Sequence, residues 1–203
     1  MVGIVDYNMG NLASVSNAFD KLGVKSKIES NPERLKDYDR LLLPGVGAFG
    51  DAMSHLQQNG MDEAIKDYVK IGNPLLGICL GMQLMFDSSS EFGLNNGLGL
   101  IEGSIVKFDE SKFDHQLKVP HMGWNELFIQ KDTPLFKNIS KEVYLYFVHS
   151  YHAVCDDKFV IAKSYYGYEF VSAVQKDNIY AIQPHPEKSH DNGIKILENF
   201  INL

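Results

Sequence analysis

Cys79 stands between two glycines in Gly77-Ile78-Cys79-Leu80-Gly81. An apolar run, Pro74 to Ile78, leads into it, and Gly81-Met82-Gln83-Leu84-Met85-Phe86 predicts a helix behind it. Buried strand, sharp turn and helix make up a nucleophile elbow, in which the reactive atom stands exposed above a sheet. Glycine on either side leaves room that a Cβ would fill. A helix N-terminus would favour the thiolate, the reactive form of cysteine. The alternative for these five residues is a buried structural cysteine at a strand end, since free cysteine packs as a small hydrophobe.

A second cluster, Gln183-Pro184-His185-Pro186-Glu187-Lys188-Ser189, supplies what such a nucleophile needs. Each proline biases the residue before it toward extended geometry, so Gln183 and His185 are expected to be extended. Residues two apart in an extended chain share a side, which would bring Glu187 beside His185. The carboxylate would orient one imidazole nitrogen and leave the other for the thiol. A surface turn with an incidental histidine is the competing interpretation.

These groups must be held by a fold, and the chain predicts one. Val2 to Val5, Val24 to Ile28, Arg40 to Leu43 and the run before Cys79 read as strands. They alternate with helices from Asn11 to about Leu22, Asp51 to Gln57 and Met61 to Val69. That order implies a parallel sheet covered on both faces. The second half reads as strands in hairpin order: Ile101 to Phe108, Trp124 to Ile129, Glu142 to Val148, Phe159 to Ser164, Ala173 to Gln175 and Ile179 to Ile182. A helix from about Asp191 to Ile201 closes the chain, and Ser88 to Gly99 is its most loop-like stretch. The expected class is α/β: a mostly parallel central sheet flanked by helices, with additional antiparallel strands, in one domain spanning 1–203.

The chain of 203 residues is 44% hydrophobic and 22% charged, ordinary for a globular protein with a sizeable core. Its formal net charge of −7 argues against general nucleic-acid binding, and no apolar run is long enough for a membrane-spanning helix. Two cysteines, Cys79 and Cys155, and no export signal lead to an expected cytoplasmic location with reduced thiols. Cys155 has no glycine turn and reads as packing. No Cys/His group has zinc spacing, so no metal is expected.

Gly45-Val46-Gly47-Ala48-Phe49-Gly50 matches the dinucleotide fingerprint G-x-G-x-x-G, but it follows the third strand rather than the first. No strand-end acid stands about 20 residues on, so no cofactor is expected. Pro44-Gly45-Val46-Gly47 is better suited to presenting backbone N–H groups, completing an oxyanion hole with the N–H of Leu80.

Taken together, Gly77 to Gln83 and His185-Pro186-Glu187 resemble the class I (triad) glutamine amidotransferases. Pro44 to Gly50, Val119-Pro120-His121-Met122-Gly123-Trp124-Asn125, Tyr146 to Tyr151 and the opening Asp6 to Asn11 narrow the resemblance to the glutaminase subunits of imidazole glycerol phosphate synthases. The resemblance spans essentially the whole chain. It implies attack by Cys79 on the side-chain amide of L-glutamine, proton transfer by His185, orientation by Glu187, and an oxyanion served by the Gly45 to Gly47 backbone and Leu80. It places Gln83, Glu91, Ser150 and Tyr151 at the glutamine site. Glu91 suits the substrate α-ammonium by charge, or else is a solvated loop carboxylate. His121 and Trp124 are core residues or face a partner. That implied partner is a cyclase subunit of (β/α)8-barrel fold, which takes up ammonia without its release to solvent and makes imidazole glycerol phosphate and a purine precursor, the former on the way to histidine.

Three rivals remain in view. A stand-alone cysteine hydrolase of the α/β-hydrolase fold orders its triad nucleophile, acid, histidine, whereas here the acid follows the histidine. An interaction module with a relict site would have no need of an intact Cys79, His185 and Glu187. A paralogue feeding ammonia to a different synthase, for instance one that amidates a sugar, shares all of these residues.

Overall fold

The computed structural model describes residues 1–203. Its first half follows the predicted alternation: β1 (Val2–Val5), α1 (Leu12–Lys21), β2 (Ser26–Glu29), β3 (Arg40–Leu43), α2 (Phe49–Gln58), α3 (Met61–Lys70), β4 (Leu75–Ile78) and α4 (Leu80–Leu84). Asn11 caps α1 as expected, its side chain accepting the Ser14 N–H at 3.3 Å. β2 starts later than the apolar pattern implies. Val24 is consumed in closing α1: its N–H bonds the Phe19 carbonyl at 3.0 Å while Gly23 takes a left-handed φ of 67°.

The second half contains β5 (Phe86–Ser89), β6 (Asn95–Asn96), β7 (Ile101–Lys107), β8 (His121–Ile129), β9 (Glu142–His149), β10 (Tyr151–Cys155), β11 (Val160–Tyr165), β12 (Glu169–Lys176), β13 (Ile179–Ile182) and α5 (His190–Ile201). The apolar pattern does not mark β5, β6 or β10, and β12 is longer than Ala173 to Gln175. The expected helix through Phe86 stops at Leu84 for a tertiary reason. The Leu84 carbonyl accepts the Leu98 N–H at 2.8 Å, and the Met85 carbonyl accepts those of Leu100 and Ile101 at 2.9 and 3.0 Å. A returning segment thus takes the acceptors that another helical turn would use.

All thirteen strands join one sheet, whose main path runs β2-β1-β3-β4-β13-β12-β10-β7-β5-β6. From β2 to β13 neighbours are parallel; beyond β13 the pairing is mainly antiparallel. The expected α/β class with antiparallel additions is therefore what forms. Alternate strand residues enter opposite cores. Val5, Leu41, Leu43 and Leu75 pack under α2 and α3, while Val2, Ile4, Leu42, Leu76 and Ile78 pack under α1 and α5.

The consequential pairing is β13 beside β4. β13 leaves the antiparallel half and returns into the parallel core, with Ile182 in register with Ile78. Gln183 to His185 and Cys79 therefore emerge at the same carboxyl edge of the sheet, where open α/β folds place their sites.

Candidate active site

Cys79 sits at φ 54°, ψ −113°, a conformation that costs a non-glycine residue about 1–3 kcal/mol. Its N–H donates to the Ile182 carbonyl at 2.9 Å, which pins the turn to the neighbouring strand. The flanking glycines are required by contact. A Cβ on Gly81 would lie 1.9 Å from the Leu43 carbonyl oxygen, and one on Gly77 would lie 2.6 Å from the Met85 methyl. α4 behind the elbow has 5 residues, too few to build up a helix dipole of the expected strength.

His185 is extended at φ −98°, ψ 92°, but Pro186 to Lys188 form a tight 3-10 turn rather than continuing the extension. Glu187 still reaches the ring, because the turn folds its side chain back. His185 Nδ1 and Glu187 Oε1 are 2.7 Å apart, with the side chains 4% and 2% exposed. Ser189 fastens this turn to β9, accepting the Tyr146 N–H at 2.9 Å and donating to the His185 carbonyl at 2.6 Å.

Burial pulls the His185 pKa down, but hydrogen bonding toward Cys79 and Glu187 and the charges of both outweigh it, and the ring is pushed up to about 10. His185 Nε2 is nevertheless buried without a formed hydrogen bond. The ring is thus electrostatically coupled to Cys79 while contact with the sulfur remains loose, as catalytic hydrogen bonds often are before substrate binds.

A cavity of about 360 Å³ opens above the sulfur, lined by Val46, Gly47, Cys79, Leu80, Gln83, Glu91, Pro120, Val148, His149, Ser150, Tyr151 and His185. Every predicted substrate residue is among them except Gly45. That glycine is buried behind the wall, where a Cβ would meet the Tyr7 hydroxyl at 2.6 Å and the Gly81 nitrogen at 2.9 Å. Gly47 does line the cavity, at φ 99°, and the Val46 and Gly47 N–H groups donate to no acceptor in the chain.

Glu91 is not a free loop carboxylate. Its Oε2 accepts the Phe49 N–H at 2.7 Å at the start of α2, and its own N–H donates to Ser89 Oγ at 3.1 Å. The carboxylate therefore occupies the helix N-terminus where a dinucleotide phosphate would bind, which disposes of the Gly45 to Gly50 fingerprint. Burial, then the Glu91 charge, pushes up the Tyr151 phenol across the cavity. The Ser150 carbonyl is held by the Phe108 N–H at 3.0 Å.

Two contributors, the Gln183 side chain and Tyr7, carry no signal in the motifs, whereas His149 stands in the Tyr146 to Tyr151 stretch beside the expected pocket. The following proline speaks only for the backbone of Gln183, yet the residue is fully buried with its amide beside Cys79. A polar residue ending the wholly apolar β13 was the available signal. Tyr7, donating to the Pro44 carbonyl at 2.8 Å, has its pKa raised by burial and then by the Cys79 charge. His149 lines the cavity and bonds His121 at 2.9 Å, a contact between strands that no local motif encodes. His121 is buried, whereas Trp124 is 47% exposed and stacks on His190. Cys155 is half-buried against the core, consistent with packing.

A family model described as glutamine amidotransferase class-I matches residues 3–203. The imidazole glycerol phosphate synthase subunit HisH of Sulfurimonas denitrificans is 65% identical over 201 residues, 98% of this chain and 97% of that protein. The subunit of the same name from Wolinella succinogenes is 57% identical over 204 residues, covering 100% of both. PurLQS from Thermotoga maritima superposes with a TM-score of 0.79 at 20% identity, over 99% of this chain and 97% of the other. A crystal structure of a glutamine amidotransferase superposes at 0.76 with 18% identity, over the same shares of 99% and 97%. At those identities the structural likeness speaks for the fold, while the full-length sequence matches decide kinship: the chain belongs to the class-I glutamine amidotransferase family, in the branch of the HisH subunits.

Proposed function

We infer that this chain is the glutaminase subunit of an imidazole glycerol phosphate synthase, hydrolysing L-glutamine to glutamate and ammonia for use in histidine biosynthesis. The whole chain acts as one amidotransferase domain. The observation that carries the reading is the nucleophile elbow at Cys79 facing the buried His185–Glu187 pair across one cavity.

An amide is a poor electrophile with a poor leaving group. Cys79 supplies the nucleophile, and its sulfur adds to the glutamine amide carbon. The Leu80 N–H, with those of Val46 and Gly47, stabilises the oxyanion. His185, holding a proton, gives it to the departing nitrogen, so ammonia leaves and a glutamyl thioester remains. Water, deprotonated by His185, then releases glutamate. Glu187 keeps the ring oriented and balances its charge. Gln83, Glu91, Ser150 and Tyr151 hold the amino-acid end, with the Glu91 carboxylate toward the α-ammonium.

The ammonia passes to a cyclase subunit of (β/α)8-barrel fold, bound as a heterodimer. Ammonia released to neutral water would be largely protonated and unreactive, so direct transfer serves the chemistry. Support for a docking surface comes from Met122, Trp124 and Tyr144, exposed apolar side chains on β8 and β9 beside the cavity-lining Pro120 and Val148. The deciding experiment is glutamate release by the chain mixed with the cyclase subunit and its nucleotide ligand, compared with Cys79→Ala under the same conditions. Glutamate release by Cys79→Ala would reject the reading.

A further inference from the structure

A set of hydrogen bonds behind the cavity leaves no freedom in how its rings and amides are oriented. Asn125 Oδ1 accepts the Glu126 N–H at 2.8 Å, so its Nδ2 faces the Tyr165 carbonyl at 2.9 Å and His121 Nε2 at 3.2 Å. His121 Nε2 is therefore an acceptor, and its Nδ1–H donates to His149 Nε2 at 2.9 Å. His149 in turn donates Nδ1–H to the Tyr151 carbonyl at 2.8 Å. Both rings are neutral in this arrangement. Burial agrees, pushing His121 down to about 4 and His149 well below the usual histidine range.

The chain of bonds continues to the nucleophile. The Tyr151 carbonyl also accepts Gln83 Nε2–H at 3.1 Å, and the same Gln83 amide donates to Gln183 Oε1 at 3.0 Å. With its oxygen engaged, Gln183 turns its Nε2 toward Cys79 Sγ, 3.8 Å away. The flipped amide would set nitrogen against nitrogen at Gln83 and oxygen against the sulfur, so only one orientation satisfies both neighbours. The titratable groups coupled to Cys79 are His185 and Tyr7, and Gln183 is the neutral donor among them.

We propose that Gln183 is a further catalytic residue, its side-chain N–H donating to the Cys79 thiolate, with Gln83, His149, His121 and Asn125 as positioning residues that fix the amide. The proposal rests on the glutaminase reading of the site. Before attack, the donor raises the fraction of cysteine present as thiolate. In thioester hydrolysis the C–S bond breaks with its electron pair going to sulfur, and the same N–H stabilises the thiolate as it leaves.

The test is alkylation of Cys79 by iodoacetamide across pH in a Cys155→Ala background, which needs no glutamine turnover. Gln183→Met keeps length and removes the donor. Its alkylation midpoint is expected about one pH unit higher, with reaction at pH 7 slowed about tenfold. Gln183→Glu should shift further in the same direction, and Gln83→Met, which frees the Gln183 amide without touching sulfur, by a smaller amount. A folded Gln183→Met with the parent profile overturns the proposal. Should the Gln183 variants not fold, an unchanged profile in Gln83→Met overturns it instead. Neither result touches the parent reading, which fails separately if Cys79→Ala releases glutamate.

Discussion

The Ile182 carbonyl accepts the Cys79 N–H at 2.9 Å, joining the end of β4 to the end of β13. Residues more than a hundred positions apart are thereby set one strand spacing from each other, and everything else in the site is placed relative to that bond. His185 follows Ile182 by three residues, and Gln83 follows Cys79 by four. The resulting geometry makes several expectations measurable.

Cys79→Ala is expected to abolish glutamate release and leave the fold intact, because the sulfur opens onto a cavity and only the Cβ side of this small residue packs against the core. Cys155→Ala should keep activity and lose about 1–2 kcal/mol of stability through packing. Activity assays with urea melts of both variants separate the two cysteines.

His185→Ala should lower kcat by several orders of magnitude, since nucleophile activation and leaving-group protonation fail together. Glu187→Gln should cost less, because an amide can still hold the ring, though not in a fixed tautomer. Near-native rates in both variants would mean that the 2.7 Å contact is structural only.

Gly81→Ala should be severely destabilising, by about 3 kcal/mol or more, since its Cβ would lie 1.9 Å from the Leu43 carbonyl oxygen. Gly60→Ala is the control: at φ 74° with nothing within 4 Å it bears only backbone strain, about 1 kcal/mol. Denaturation midpoints of the two should differ widely.

Stability should fall in acid partly through His121. Its folded pKa of about 4 lies below the unfolded value of 6.5, so the folded state binds fewer protons between them. The contribution is full above about pH 6.5 and is lost as pH falls toward 4, on the order of 3 kcal/mol. His149 acts in the same direction. His185, raised to about 10, has the opposite sign: its contribution is full below 6.5 and lost as pH rises through 10. Urea midpoints at pH 7, 5.5 and 4.5 should show a shallower decline in His121→Gln than in the wild type. Parallel declines would contradict a neutral buried pair.

The isolated chain should turn over glutamine slowly. The Val46 and Gly47 N–H groups donate to no acceptor in the chain, and Gly47 holds a φ of 99° that glycine adopts freely. Binding of the liganded cyclase is expected to set these donors on the oxyanion and raise the rate about 100-fold, the scale of one oxyanion donor. Rates measured alone, with apo partner and with liganded partner decide it; three equal rates reject the switch. Activation only by a different synthase would establish a paralogue.

What the sequence determined by itself was local. Gly77-Ile78-Cys79-Leu80-Gly81 specifies an elbow because its glycines permit contacts that any Cβ forbids, and the prolines around His185 restrict its backbone. Strand and helix periodicity was legible through α3, where each apolar face meets one core. Tertiary contacts decided the rest. The end of α4 was set by the Leu98 to Ile101 segment capturing its carbonyls, Glu91 gained its role from α2, and the Asn125 to Gln183 hydrogen bonds cross five separate segments. A hydrogen bond between distant strands leaves no periodicity in the chain, because its partners are chosen by sheet register: His121 meets His149 through β8 beside β9, and Gln183 reaches Gln83 and Cys79 only once β13 has returned beside β4.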